Sequence, residues 1–339
     1  MRETSSIPKA LAWVFAACVG LGLNSAAAEP TTLKFAFTAP PNTWVNTMVA
    51  EPWSKEVMAD ADGTLDIKFF FGSALGNSSN IYDRVVNGVV EIAFGPYGEL
   101  TGQFPGTSVV ALPFETKSCT EAAIALWRLY RTGVIAAEYE KVHPLAIFAF
   151  PDFVMTTKKS ITKLADIQGV KIAAGSRIVA QGVQLLGGVP VTLRPSEVYQ
   201  SVQRDLVNGM ILSWAGISVY KVDELTKYDL DMPFGVGPGY FFMNKDAYAR
   251  LPEQAKRALD RHSGDALNDR FSRACFEAGN ANRPNLIARG HTISELAPEE
   301  AARWKARVSP IVEDWVKATP RGAEILAAYR REVATASKR

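Results

Sequence analysis

Histidine and cysteine are scarce in this chain, with three of each in 339 residues. His143, His262 and His291 stand singly, without cysteine partners or i, i+4 spacing, which removes the ligand sets of a zinc centre and the commonest catalytic base. An excess of one charge is missing too. The 37 Lys plus Arg stand against 35 Asp plus Glu, with no long basic run, so nothing supports a nucleic-acid or anionic-membrane surface. The apolar run Ala10–Leu23 (ALAWVFAACVGLGL) is too short to span a bilayer comfortably. A phosphate fingerprint is also lacking. Residues 169–193, GVKIAAGSRIVAQGVQLLGGVPVTL, read as strand, Gly-Ser turn, helix, Gly-Gly break and strand, a β-α-β unit whose crevice would hold something other than a nucleotide. Ser176, Ser213, Glu51 and Glu91 are conceivable catalytic groups. No Ser-His-Asp set, G-x-S-x-G elbow or metal cluster assembles around them.

What is present is globular composition, 47% hydrophobic and 21% charged, over a length that suits two domains. Arg2 and Lys9, the apolar run, and then Ala26-Ala27-Ala28 form a secretory leader with cleavage expected near Ala28. Cys18 follows Phe-Ala-Ala in the manner of a lipoprotein signal, but the apolar run continues past it. Export would leave Cys119 and Cys275 in an oxidising compartment, either bridged or as two buried thiols.

Strands and helices alternate. LKFAF (33–37), LDIKFFF (65–71) and VVEIAFG (89–95) are separated by the helical runs WVNTMVAEPWSKEVMAD and NIYDRVVNG, which implies parallel strands joined by crossovers. VKIAA, PVTL and MILSW repeat the scheme. Ile81-Tyr82, Val85, Val89-Val90 and Glu91 correspond at one constant offset to Val198-Tyr199, Val202, Leu206-Val207 and Asn208, so two α/β lobes share one plan. HPLAIFAFPDFVMTTKK (143–159) reads as an apolar strand passing between lobes, and DMPFGVGPGYFFMN (231–244) as a second crossing. From Lys245 the chain reads as mostly helical, with Pro252 in the first turn of one helix.

LGNSSNIYDRVVNGVVEIAF, TKKSITKLADIQGVKI, LLGGVPVTLRPSEVYQSVQRDLVNG, the helical KVDELTKY and FMNKDAYARLPEQAKRAL, in this order and spacing, resemble the solute-binding proteins of tripartite ATP-independent periplasmic (TRAP) transporters, the DctP-like family. The resemblance covers most of the chain beyond the leader. It implies a two-lobed periplasmic binding protein fold, two α/β lobes joined by crossover strands and a long bracing helix. Lobe I would comprise 29–150 plus about 238–277, and lobe II 151–237 plus about 278–339. It further implies a monomer in the periplasm, without a cofactor, that captures a small organic solute between the lobes and delivers it to the small and large membrane subunits. A sensor domain with the same cleft is the alternative, and a periplasmic enzyme a more remote one.

Most of the family clamps a carboxylate with a strand arginine, and the resemblance puts that position at Ala173. A second polar contact, an Asn, falls near Leu212, and an arginine of some members falls at about Phe153. An anion in such a site needs another cation. Arg177, just past the Gly175-Ser176 turn, and Arg194, at the end of PVTL, are the candidates. Aromatic side chains at strand ends offer stacking surface. The expected ligand-facing set therefore comprises Phe37, Thr38, Trp44, Asn77, Tyr97, Phe150, Phe153, Trp214 and Phe241 with Ala173, Leu212 and the two arginines. An aromatic or weakly charged solute fits it better than a short dicarboxylate.

Overall fold

In a computed structural model, residues 29–98, 100, 102–151 and 153–337 are described. The expected leader over 1–28, Cys18 included, lies outside them. In chain order the elements are β1 (Thr31–Phe37), α1 (Glu51–Asp60), β2 (Leu65–Phe71), α2 (Ile81–Val86), β3 (Ile92–Pro96), α3 (Cys119–Arg131), β4 (His143–Ala149), β5 (Phe153–Thr157), β6 (Lys171–Ala174), α4 (Arg177–Leu185), β7 (Val189–Thr192) and α5 (Pro195–Gln203). Then come β8 (Gly209–Ser213), α6 (Trp214–Val219), β9 (Tyr228–Asp231), β10 (Pro238–Met243), α7 (Lys245–Ala249), α8 (Glu253–His262), α9 (Asp265–Ala288), β11 (Thr292–Glu295), α10 (Pro298–Ala318) and α11 (Gly322–Ala336).

Two sheets carry the lobes, in the orders β2-β1-β3-β10-β4 and β11-β9-β5-β8-β6-β7. Read from β2 in the first sheet and from β7 in the second, both show the same arrangement, an outer strand, a first strand and a third strand, followed by one antiparallel strand from the other half of the chain. The repeat read in the sequence holds at the level of burial. Ile81 and Val198, Val85 and Val202, Val90 and Val207 are buried, while Val89 and Leu206 are both exposed. One apolar core runs through both lobes, from Leu126 and Phe242 to Met155, Ile172 and Trp304. The other faces carry separate cores, an aromatic one built on Phe35, Phe37, Phe94, Phe148, Phe241 and Trp53, and a smaller one on Val154, Ala173, Met210, Leu212 and Trp214.

Several boundaries differ from the sequence reading. The apolar segment 143–159 is two strands in different sheets, because the chain leaves β4 at Phe150-Pro151 and proline cannot donate to a ladder. KVDELTKY is helical only over Val222–Glu224 and then feeds β9, an unpredicted strand that β11, also unpredicted, pairs in parallel. The third strand starts at Ile92, not at Val89. The long helical run breaks at Ser263-Gly264, where Gly264 takes a positive φ of 62°. Val45–Ala50 forms a wide π-helical turn ahead of Pro52, whose missing N–H and ring disfavour an ordinary turn there. Cys119 and Cys275 are bridged, tying α3 to α9.

Candidate functional site

Two short connections fix where a site can form. β4 ends at Ala149 and β5 begins at Phe153, so the two sheet edges there lie within about 15 Å, the reach of four extended residues. At that edge the first sheet presents the carboxyl ends of β1 to β4 and the start of β10. The second presents the carboxyl ends of β6, β7, β8 and β9 and the start of β5. Residues 232–237 make the return connection. Facing carboxyl edges are where open α/β sheets bind ligands.

Aromatic rings gather at the connection between the two edges. Phe150 donates its backbone N–H to Gly237 O at 2.8 Å. Its ring and that of Phe153 approach Gly237 together, 3.6 and 3.8 Å from where a Cβ would stand. Trp44 meets Phe150 and, on α9, Phe271 edge-on, both at 6.3 Å. Trp44, Phe150 and Phe153 are half-buried, the condition of rings with one face packed and one available.

Ala173 is wholly buried, and its strand partner is Met210. The Met210 methyl comes within 3.9 Å of the Cβ position of Gly175, at the very edge of the sheet. With Leu212 also in this core, the stretch where the resemblance implies an Arg and an Asn is apolar and filled. Arg177 opens α4, exposed, its side chain without a hydrogen bond or ion pair to another described residue. Arg194 differs. Its guanidinium donates to Glu197 Oε1 at 2.7 Å and its backbone N–H to Oε2 at 2.9 Å, holding the Glu197 carboxyl below its usual range. It serves the start of α5.

Of the other expected residues, some are packed away from the crevice and some stay at its edge. Phe37 and Phe241 are fully covered, Phe37 stacking on Phe94 at 4.2 Å between ring centres; alternation along their strands turns them into the aromatic core instead of the crevice. Tyr97 is buried in a hydroxyl chain, donating to Tyr139 at 3.1 Å, with Tyr139 2.6 Å from Thr107 and Thr107 donating to Glu138 at 2.7 Å. Burial, the largest cause, pushes the Tyr97 phenol well above its usual range. Asn77 is exposed and caps the turn before α2, accepting from Ser79 N–H at 3.0 Å. Thr38 stays at the edge, donating to Phe94 O at 3.0 Å. Trp214 opens α6 instead of ending β8 and is 1% exposed. Ser176 and Ser213 cap α4 and α6, and Glu51 and Glu91 pair with Lys55 and Lys34. Four conceivable catalytic groups thus have structural partners.

Three residues that bear on the site went unread in the sequence, Met210 inside β8 and Asp231 and Arg283 at the edge. Met210 fills the space beside Ala173. Asp231 closes β9, and Arg283 of α9 donates to it while capping the Trp214 ring at 4.3 Å. Only the fold brings positions 214, 231 and 283 together. A concavity of 440 Å³ lies at the far end of β4, away from the crevice, lined by Tyr130, Tyr139, His143 and Lys245; another of 300 Å³ adjoins the end of β9 and the return connection, lined by Thr116, Asp231, Met232, Pro233, Val236 and Leu296. Among the described residues no group of three or more His, Cys, Asp or Glu could hold a metal.

Known proteins share this architecture. A marine metagenome TRAP solute-binding protein from an unidentified microbe, specific for aromatic acids and solved with 3-hydroxybenzoate, is 26% identical, superposes with a TM-score of 0.85, and matches over 91% of this chain and 99% of that one. A TRAP solute-binding protein of Rhodoferax ferrireducens with copurified benzoate is 26% identical, with a TM-score of 0.83 over 91% and 99%. The C4-dicarboxylate-binding periplasmic protein DctP of Rhodobacter capsulatus is 24% identical over 95% of this chain and 97% of its own length. The profile of bacterial extracellular solute-binding protein family 7 matches residues 35–318. With the two-sheet fold and its facing edges, that match over most of the length makes the chain a member of the DctP family of bacterial extracellular solute-binding proteins.

Proposed function

We propose that this protein captures an aromatic carboxylate in the crevice between its two sheets, in the periplasm, and hands it to the membrane subunits of a TRAP transporter. Small-organic-solute binding is the family's function. The ligand class rests chiefly on one observation: the edge carries half-buried Trp44, Phe150 and Phe153, while Ala173 and Leu212 stand at implied polar positions with Met210 packed beside them. A flat ring recovers burial and edge-to-face contacts there. A short dicarboxylate would bring two charges to a surface with little to pair them, a loss of several kcal/mol for a desolvated anion. The relatives solved with 3-hydroxybenzoate and benzoate support the same reading. In this account residues 1–28 are removed on export and the protein performs no catalysis. Lobe I comprises 29–150 with about 238–277, and lobe II the remainder.

The test is thermal unfolding of the protein from Glu29 onward with benzoate, 3-hydroxybenzoate, their amides and succinate. A ligand at 100 times its Kd adds about 2.7 kcal/mol to the folded state, a shift of several degrees. Stabilisation by the aromatic acids, with little from amides or succinate, is expected. Succinate as the strongest stabiliser would overturn the ligand class, and amides equal to the acids would overturn the carboxylate.

A further inference from the structure

Resting on the aromatic-acid reading, we propose that Arg283 and Trp214 form the carboxylate anchor that replaces the strand arginine. Asp231, Trp214 and Phe153 all stand at the crevice edge of the second sheet, since Val154 pairs with Asp231 on one side and Phe153 with Ser213 on the other. α9 crosses this edge and lays the Arg283 guanidinium over the Trp214 ring, 4.3 Å from its centre. The neighbouring Asn282 secures the contact, donating to Trp214 O at 2.7 Å.

Two features mark this cluster as unfinished. The Trp214 indole N–H is buried and has no acceptor among the described residues, which costs free energy unless something accepts from it. Arg283 is 30% exposed in its side chain and gives one edge of its fork to Asp231, leaving the other donors for a second acceptor. An aromatic acid whose ring lies toward Phe150 and Phe153 would present its carboxylate to both groups. A partly desolvated, ring-stacked guanidinium grips an anion more strongly than a solvated one. That sets Arg283 apart from the exposed Arg177.

Asp231 has a definite part in this arrangement. It orients the guanidinium and offsets its charge, so it competes with the ligand for the same cation. Removing the Asp231 charge should therefore tighten acid binding, an effect that a merely structural pair would not produce.

The test is calorimetric titration of 3-hydroxybenzoate into the protein from Glu29 onward and its variants, with unliganded unfolding as the control for folding. Arg283→Gln should raise Kd about 100-fold or more. Arg283→Lys, which keeps charge and stem but loses the fork, should raise it about tenfold, and decides the matter if the Gln variant does not fold. Asp231→Asn should lower Kd several-fold, and Trp214→Phe should raise it. Unchanged binding by both Arg283 variants, a loss on Asp231→Asn, or a loss carried by Arg177→Ala instead would overturn the anchor while leaving the ligand class standing. A wild-type protein that binds no aromatic acid overturns both.

Discussion

Gly237 and Gly239 lie two residues apart on the return connection and β10, and the structure separates them sharply. A Cβ on Gly237 would stand 3.6 Å from Phe150 Cδ2 and 3.8 Å from Phe153 Cζ, ordinary van der Waals contact. A Cβ on Gly239 would stand 2.5 Å from Phe148 Cζ, 2.6 Å from Phe148 Cε2 and 2.9 Å from Phe150 Cε2. Carbon atoms pack at about 3.5–4.0 Å, so roughly 1 Å of overlap has to be relieved. Phe148 cannot readily yield, being fully buried and stacked on Phe271 at 3.6 Å between ring centres. Phe150, half-buried, can, but only by leaving its place beside Gly237. Overpacking of this kind costs about 1–3 kcal/mol, and the unfolded-state gain of replacing glycine, about 0.4–1 kcal/mol, offsets part of it. Gly239→Ala should therefore lose about 1–2 kcal/mol and weaken ligand binding, while Gly237→Ala should be neutral or slightly stabilising. Urea unfolding curves and 3-hydroxybenzoate titrations on both variants read this directly. Equal stability of the two would refute the reasoning that Gly239 is fixed by the Phe148–Phe150 pair.

Other expectations follow from separate parts of the molecule. The Cys119–Cys275 bridge spans 156 positions, and closing so long a loop stabilises by about 2–5 kcal/mol; denaturant midpoints that coincide with and without reductant would contradict it. Trp44→Ala should weaken aromatic-acid binding more than tenfold through loss of a half-buried indole, and undiminished affinity in a titration would remove Trp44 from the proposed site. The Tyr248 hydroxyl lies 2.8 and 2.9 Å from the Asp260 carboxylate oxygens. Burial first, and then this hydrogen bond, push its phenol up to about 12. Raised above its unfolded value near 10, it contributes stability that is whole below pH 10 and lost as pH climbs toward 12. Difference absorbance at 295 nm between wild type and Tyr248→Phe should show that late ionisation; a midpoint near 10 would contradict it.

Much of the architecture was legible because it is periodic. The matched residues of 81–91 and 198–208 pointed to two lobes of one plan, and Pro and Gly around 231–239 marked the return crossing. β9 escaped because Val222 and Leu225 at helical spacing mask a chain that turns at Lys221, with φ at 57°, and then extends. Strand ends were easy to locate, but which face an end residue occupies depends on register. Phe37 and Phe241 joined a core that no local pattern distinguishes from a binding floor. Phe150 and Phe153 stayed at the edge because the chain changes sheets between them. Arg283, inside a helix 69 positions from Trp214 by their numbering, carries no local signal at all; only α9 crossing the second sheet makes them neighbours.

On the proposed function, an aromatic carboxylate lies between the facing sheet edges. A crystal structure of the protein grown with 3-hydroxybenzoate tests it most directly. The ring should lie against Trp44, Phe150 and Phe153, with the carboxylate within hydrogen-bond distance of Arg283 and Trp214 Nε1. A ligand seated in the cavity by Tyr130 and His143, or a carboxylate held at Arg177 with Arg283 still turned wholly to Asp231, would contradict it.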